Sequence, residues 1–229
     1  MMTSCFDDLP LSFREKVPAC FIVGAGAFAG MEVLPDDGDL VIAADGGYAY
    51  LKEAGVRCDL LMGDLDSLSA SVEISAETRR FSPIKDDTDT MLAVKYATER
   101  GYRRFYLYGV FGGRFDHTAA TLQTVLWIAN RGAEVLAFEA KDDGTPGAYV
   151  TALKNGTAVF PPEASGYLSL FALGGPAHGV TLTNLKYPLD RYTLEPDTAL
   201  GVSNEFLPGV SARVTVEDGT LIIIKPRNN

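Results

Sequence analysis

Closely spaced aspartates recur in the first half of the chain, in two places with a lysine or an arginine beside them. They lie in four segments: ADGG with Asp45, GDLDS with Asp64 and Asp66, KDDTDT with Asp89, and GGRFDH with Arg114 and Asp116. Side chains at i and i+2 of an extended chain share a face, so Asp64 and Asp66 can converge on one cation. Oxygen-only donors suit Mg²⁺ or Mn²⁺ better than zinc.

GGRFDH adds a cation to this acidic set. The guanidinium of Arg114 follows two glycines and faces several carboxylates, an arrangement that can hold phosphate oxygens once a metal neutralises part of the site. Carboxylates, Mg²⁺ and an arginine are the usual components of a phosphoryl-transfer site. The four segments together therefore predict a site for a metal and a phosphorylated ligand.

Each segment also has a structural explanation. Asp45, followed by two glycines, is typical of a turn or a helix N-cap, and Asp87 or Thr88 is typical of an N-cap. Asp89 can compensate a helix dipole or bind a metal. A single histidine such as His117 is usually structural.

A glycine-rich segment, GAGAFAG at 24–30, follows the first predicted strand. Its spacing is one residue longer than the dinucleotide-binding fingerprint, so it does not indicate a Rossmann cofactor. Two explanations stay open at this point: backbone N–H groups that approach a phosphate, or a tight strand-to-helix turn.

The order of the elements predicts where these segments meet. Compact apolar runs predict buried strands at 19–26, 39–47, 58–64, 104–110 and 134–140. Helices are expected at about 47–55, 68–80, 89–100 and 117–131. This alternation predicts an α/β fold, with a mostly parallel sheet and helices on both faces. Ligands bind at the carboxyl ends of such strands, where the acidic segments lie.

The chain changes character after about residue 142. KDDGTPGA is a connection rich in Gly, Pro and Asp, and the remaining sequence shows short strands separated by turn signals. We therefore predict two domains: 1–142 as the α/β catalytic domain, and 143–229 as an all-β antiparallel sandwich or barrel.

Composition limits the function classes. Thirty acidic against twenty basic residues give a net charge of −10, which argues against a broad nucleic-acid surface. The three scattered cysteines predict neither a disulfide framework nor a zinc site. With no signal peptide and no apolar run of about 20 residues, we expect a soluble, cytoplasmic protein without a membrane partner.

ADGG, GDLDS, KDDTDT and GGRFDH, in that order, followed by TNLKYPL and GVSNEF, resemble the thiamine pyrophosphokinase family from about residue 20 to the end. The resemblance implies an α/β domain followed by a β-sandwich domain that binds thiamine and forms a homodimer, with the active site at the subunit interface. It also implies transfer of pyrophosphate from ATP to the hydroxyl of thiamine, with Mg²⁺ and release of AMP.

The resemblance also implies residue roles. The acidic active-site positions match Asp45, Asp64, Asp66, Asp89 and Asp116, of which Asp64, Asp66 and Asp89 are the candidate metal ligands. Positions that contact nucleotide or phosphates match Ser67, Lys85, Thr88 and Arg114, and Asp45 is grouped with them. Ser203 and Asn204 match the segment that meets thiamine.

The chain departs from some relatives in one aromatic position. Those relatives stack thiamine on a tryptophan of the second domain, whereas the only tryptophan here, Trp127, falls in a predicted first-domain helix. Tyr187, Tyr192 and Phe206 are the candidate replacements.

Two other functions are compatible with the acidic segments. One is a metal-dependent nucleotide phosphohydrolase, although a hydrolase assigns no role to GVSNEF. The other is a non-catalytic protein that binds thiamine or a nucleotide. The kinase interpretation has a physical argument of its own, because an acidic pocket attracts the cationic thiazolium of thiamine.

Overall fold

The structure is a computed structural model that describes residues 8–63, 76–80 and 86–227. It divides into two compact units. The parallel unit consists of the described residues of Pro18–Ile128 and Ala133–Gly147. The antiparallel unit consists of the described residues before Pro18, Ala129–Gly132 and the described residues from Ala148 onward. The predicted domain boundary between residues 142 and 143 stays a prediction.

Six parallel strands form the sheet of the parallel unit, in the order β6-β5-β1-β2-β3-β4. They are β1 (Cys20–Val23), β2 (Leu40–Ala44), β3 (Leu60–Gly63), β4 (Glu77–Arg80), β5 (Arg104–Tyr108) and β6 (Glu134–Ala140). All residues of β1, β3 and β5 are buried, which explains why their sequences are almost continuously apolar. The predicted parallel sheet is therefore confirmed.

Three helices accompany this sheet: α1 (Gly47–Glu53), α2 (Asp89–Glu99) and α3 (Phe115–Ala129). They confirm the helices predicted at 47–55, 89–100 and 117–131. The helix α2 begins at the cap Thr88, whose hydroxyl accepts a hydrogen bond from the Met91 N–H at 3.2 Å. After it, Gly101 takes the left-handed conformation typical of a helix stop, with φ of 92°.

The helix predicted at 68–80 is wrong in its last residues, and residues 68–75 lie outside the described part. Glu77–Arg80 forms β4, which pairs in parallel with β3 from Leu60 to Gly63. Hydrogen bonding to the edge of β3 outweighs the weak helical preference of this short polar segment. Only the partner strand supplies that interaction, so the local sequence did not indicate it.

The antiparallel unit is built from β7 (Pro146–Phe160), β8 (Tyr167–Phe171), β9 (Ala177–Thr183), β10 (Leu189–Leu194), β11 (Asn204–Glu205) and β12 (Ala212–Pro226). The long β12 pairs with β7, and also with β9 near its start and β8 near its end. The described residues after α3 contain no helix, as the sequence predicted. This antiparallel arrangement confirms the predicted fold class of the C-terminal part.

The N-terminal segment contributes buried residues to the antiparallel unit. Leu9 is fully buried, and the hydroxyl of buried Tyr149 donates to the Asp8 carbonyl at 2.8 Å. The ammonium of Lys225, also fully buried, lies 3.5 Å from the Asp8 carboxylate and donates to the Pro226 carbonyl at 2.9 Å. Burial lowers the pKa of Lys225, while Asp8 partly opposes that shift.

In the part of the chain that the structure describes, no helix has the length and apolar character needed to span a membrane.

Candidate active site

A cavity of about 330 Å³ opens in the parallel unit, where the segments after β1, β2 and β5 meet the first turns of α2 and α3. Its polar lining includes Asp45, Thr88, Asp89, Arg114 and His117. Four predicted site residues, Asp45, Thr88, Asp89 and Arg114, therefore line one cavity. For Asp45, Asp89 and Arg114, the sequence predicted this meeting at one edge of the sheet.

The structure leaves part of the predicted site undescribed. Asp64, Asp66, Ser67 and Lys85 all lie outside the described residues. Their roles stay predictions.

Asp45 follows β2 in the left-handed conformation, with φ of 50°. Its N–H donates to the Met62 carbonyl at 2.9 Å, which ties the turn to β3. A Cβ added to Gly63 would lie only 1.7 Å from Asp45 Oδ1, so the carboxylate rests against the Cα of that glycine. Gly46, rather than Asp45, takes the N-cap position of α1. The Asp45 carboxylate is thus held beside the end of β3, one residue before Asp64.

The carboxylates before and within α2 differ in their surroundings. Asp86 is exposed, whereas Asp87 accepts a hydrogen bond from the Lys95 ammonium at 2.6 Å. Asp89 is half-buried in the first turn of α2 and lines the cavity. Thr88 lines the cavity too, with its hydroxyl capping the helix. Of these three carboxylates, only Asp89 lines the cavity.

Arg114 and Asp116 form a two-point ion pair at the start of α3. The guanidinium donates from Nε to Asp116 Oδ1 at 3.1 Å and from Nη2 to Oδ2 at 2.5 Å. The hydrogen bond from Arg114 lowers the pKa of the Asp116 carboxyl. Both side chains are well exposed, at 74% and 61%. A guanidinium has five N–H donors, so Arg114 can bind phosphate oxygens while it keeps this pair.

The glycines after β1 serve packing between loops. The Gly24 N–H donates to the Tyr108 carbonyl at 2.8 Å, and the Gly26 N–H donates to the Gly109 carbonyl at 2.7 Å. A Cβ on Gly26 would lie 2.3 Å from the Phe111 carbonyl oxygen. These two N–H groups are therefore engaged by protein carbonyls rather than available to a phosphate. The strand-to-helix turn is also wrong, because residues 24–39 contain no helix.

Two lining residues of α3 are not indicated by the sequence pattern. A single histidine such as His117 favours a structural role, and no motif includes Thr121, yet both residues line the cavity. The Thr121 hydroxyl bonds the Val110 carbonyl at 2.7 Å and the His117 carbonyl at 3.0 Å, joining α3 to the segment after β5. The spacing from His117 to Thr121 is one helical turn, and this periodicity is the signal that could have found Thr121.

The described donors suit a hard cation. Asp45 and Asp89 bring carboxylate oxygens to one cavity from two separate segments, and such donors fit Mg²⁺. Within 8–63, 76–80 and 86–227, no group of three or more His, Cys, Asp or Glu side chains is arranged to hold a metal. Two of the three predicted ligands, Asp64 and Asp66, lie outside these ranges.

In the antiparallel unit, Ser203 and Asn204 have well-defined surroundings. Ser203 takes the left-handed conformation, with φ of 57°, and its N–H donates to Ser169 Oγ at 3.0 Å. The Asn204 side chain accepts from the N–H groups of Tyr187 (3.0 Å) and Glu205 (2.9 Å) and donates to the Tyr187 carbonyl (2.7 Å). Asn204 is almost fully buried. Its amide holds two segments together.

The candidate aromatic residues also differ. Phe206 is buried and packs at 5.3 Å, ring to ring, against Phe160 in the core. Tyr187 and Tyr192 are exposed, at 57% and 46%. A stacking partner for a ligand must expose a ring face, which favours the two tyrosines over Phe206.

Comparison with known proteins gives two family matches in series. The model of the thiamin pyrophosphokinase catalytic domain matches residues 31–137, and the model of the thiamin pyrophosphokinase vitamin B1 binding domain matches residues 158–221. Thiamine pyrophosphokinase of Bacillus subtilis is 26% identical over 203 residues, covering 83% of this chain and 88% of the relative. Thiamine pyrophosphokinase 1 of Oryza sativa subsp. japonica is 24% identical over 229 residues, covering 94% and 81%.

Solved structures agree with this comparison. The crystal structure of thiamin pyrophosphokinase from Geobacillus thermodenitrificans superposes with a TM-score of 0.73 at 26% identity, covering 92% of this chain and 98% of that chain. Thiamin pyrophosphokinase from Candida albicans superposes with a TM-score of 0.67 at 16% identity, covering 92% and 89%. The second likeness concerns the fold alone.

Proposed function

The chain belongs to the thiamine pyrophosphokinase family, and we propose that it transfers pyrophosphate from Mg-ATP to the hydroxyl of thiamine, giving thiamine pyrophosphate and AMP. The observation that carries the proposal is the convergence of Asp45, Asp89 and Arg114 on one cavity of the parallel unit. That cavity offers carboxylates for a cation and a guanidinium for phosphate oxygens, the two requirements of phosphoryl transfer.

The reaction needs positioning more than covalent help. The hydroxyl oxygen of thiamine attacks the β-phosphorus of ATP, the bond from that phosphorus to the oxygen shared with the α-phosphate breaks, and AMP leaves. The hydroxyl proton passes to a carboxylate, for which Asp89 or Asp66 is the candidate. The position of Asp89 at the cavity supports its candidacy. Bound geometry that aligns the hydroxyl with the β-phosphorus accounts for much of the acceleration.

The acidic residues would hold Mg²⁺, for which Mn²⁺ is a possible substitute. Asp64, Asp66 and Asp89 are the proposed ligands. The metal, when bound, neutralises charge on the phosphate oxygens. The placement of the Asp45 carboxylate against Gly63, one residue before Asp64, supports a shared acidic site at the end of β3.

We propose that the nucleotide and its phosphates bind next to the proposed metal ligands. Asp45, Ser67, Lys85 and Thr88 are the proposed contacts. Arg114 would bind oxygens of the transferring group, and Asp116 would orient the Arg114 guanidinium through their two-point pair.

Thiamine is the proposed ligand of the C-terminal part, which the vitamin B1 binding model supports. Ser203 and Asn204 belong to the proposed thiamine segment, with Tyr187 or Tyr192 as the aromatic surface. Because Asn204 uses its amide within the fold, its contribution would be to shape the segment. A homodimer with active sites at the subunit interface is proposed from the family resemblance. A cytoplasmic location stays a prediction.

The decisive experiment measures AMP formation from ATP and Mg²⁺, with and without thiamine. We expect AMP to form only when thiamine is present, with one thiamine pyrophosphate formed for each AMP. Free release of phosphate or pyrophosphate, with no thiamine binding, would instead indicate a nucleotide phosphohydrolase. Thiamine or nucleotide binding with no turnover would indicate a non-catalytic binding protein.

The combined change Asp64→Asn and Asp66→Asn tests the metal ligands in the same assay. Removing two carboxylates from a metal site should cost several kcal/mol of transition-state stabilisation, on the order of 10²-fold or more in kcat/KM. AMP formation near the unchanged level by this variant would contradict the proposed metal site.

A further inference from the structure

Lys95, on the second turn of α2, bonds a carboxylate that precedes the helix. Its ammonium donates to Asp87 at 2.6 Å, and the two side chains are partly exposed, at 38% and 30%. Lys95 lies seven residues after the cap Thr88, which is about two helical turns. Helical side chains lean toward the N-terminus, so the lysine reaches back along α2 to the residue just before the cap.

This ion pair joins two residues that lie on either side, in the sequence, of the part of α2 that lines the cavity. Thr88, Asp89 and Thr90 lie between Asp87 and Lys95 in the sequence, and all three line the cavity. The Thr88 hydroxyl fixes the backbone from inside the first turn through the Met91 N–H. The hydrogen bond from the Lys95 ammonium fixes Asp87, the residue that precedes the cap. The entry to α2 is therefore held at two points.

The pair also affects the charge beside the cavity, because the Lys95 ammonium compensates the negative charge of Asp87. An unpaired Asp87 would place another negative charge beside a cavity proposed to accept a triphosphate, and like charges weaken such binding. With Lys95 in place, the charge of Asp87 is compensated, and Asp89 is the carboxylate of this segment that lines the cavity. The position of the pair and its charge compensation should therefore both favour binding of a triphosphate at the cavity.

We propose that Lys95 is a positioning residue, which holds Asp87 and thereby fixes Thr88 and Asp89 for binding Mg-ATP. The inference rests on the proposed function, since it assigns the ligand of that same cavity. Lys95 itself does not line the cavity, so it acts through Asp87 rather than on a reacting atom.

The test compares Lys95→Met, Asp87→Asn, the double variant and Lys95→Arg with the unchanged protein. Lys52→Met is the matched control, because it removes an exposed lysine from α1 in the same unit. Three quantities are measured: kcat and KM for Mg-ATP in the thiamine-dependent reaction, the affinity for Mg²⁺ with a non-hydrolysable ATP analogue by calorimetry, and the thermal midpoint.

We expect Lys95→Met to lower kcat/KM and analogue affinity about tenfold, within the range that small misplacements produce. The thermal midpoint should change little, because partly exposed ion pairs contribute little to the free energy of unfolding. Lys95→Arg should recover most of the loss, since arginine can still pair with Asp87. The double variant should lose no more than the single variants, because both break one interaction.

Several results would overturn the inference. These are a Lys95→Met variant that behaves like Lys52→Met, losses that add in the double variant, no recovery by arginine, or a loss of affinity that only follows the thermal midpoint. Failure of the unchanged protein to form AMP with thiamine would refute the proposed function instead. In that case the calorimetric comparison with Mg²⁺ and the analogue still decides whether Lys95 positions the site.

Discussion

The charged side chains at the cavity of the parallel unit and two buried polar side chains of the antiparallel unit have opposite surroundings. At the cavity, the Arg114 side chain is 74% exposed and Asp89 is half-buried. In the antiparallel unit, Lys225 is 0% exposed and Asn204 is 4% exposed, and both bond neighbouring protein groups.

This difference separates residues that a ligand can use from residues that the fold already uses. A buried polar group must keep its partners, because leaving it unsatisfied costs its full desolvation penalty. An accessible group exchanges its water for a ligand at much smaller cost. Changes at the cavity should therefore reduce activity with little effect on stability, and changes at the buried groups should do the reverse.

The largest effect is expected for Asp89→Asn at the cavity. Removing this carboxylate should lower kcat by roughly 10²-fold or more, the scale seen when one group that stabilises transition-state charge is lost. The free energy of unfolding, from urea titration, should change by less than about 1 kcal/mol because Asp89 is only half-buried. Asp142→Asn, at an exposed carboxylate in the turn after β6, is the control. Equal kcat values for the two variants would contradict the assignment of Asp89 to the active site.

The next effect is expected for Asn204→Ala in the antiparallel unit. The variant removes the buried Asn204 amide and its three hydrogen bonds to backbone groups of Tyr187 and Glu205, so unfolding should become easier by about 1–3 kcal/mol. Asn130→Ala is the control, because exposed Asn130 accepts one hydrogen bond, from Thr220. The comparison between the units fails if Asn204→Ala unfolds at the same urea concentration as this control.

The smallest effect is expected for Lys225→Met, which replaces the buried lysine, and it concerns the pH dependence of stability. Burial holds its pKa below the ordinary 10.5, so the unfolded chain binds this proton more tightly than the folded chain. The charged lysine therefore destabilises the fold at neutral pH, and that penalty fades as pH rises toward 10.5. We expect the stability difference between the unchanged protein and Lys225→Met to shift in favour of the unchanged protein as pH rises.

Lys154→Met supplies the reference for that titration, since Lys154 is exposed on β7. If both variants give parallel curves, Lys225 titrates as an ordinary exposed lysine and the buried pair with Asp8 has no energetic consequence.

Much of the parallel unit could be predicted from its sequence. Buried parallel strands require apolar runs, and the residues that follow those runs lie at one edge of the sheet. That rule predicts that Asp45, Asp89 and Arg114 meet, and all three line one cavity. The failures have one cause in common. β4 depends on the edge of β3, and the role of Gly26 depends on the carbonyl of Phe111, 85 residues away in the sequence numbering.

The antiparallel unit shows the same limit more strongly. GVSNEF indicates a thiamine segment by resemblance, but nothing in those six residues reveals that the Asn204 amide bonds Tyr187. Likewise, neither Asp8 nor Lys225 indicates the other, although their side chains lie 3.5 Å apart.

The sequence by itself determined the order of strands and helices in the parallel unit, except for β4, and the chemical types of the candidate site residues. Local periodicity and residue identity are sufficient for both. Only the tertiary structure decided which polar groups face a cavity, as Asp89 does, and which are used inside the fold, as Asn204 and Asp87 are. The physical reason is that availability depends on burial and on hydrogen-bond partners, and these come from segments that are brought together only by folding.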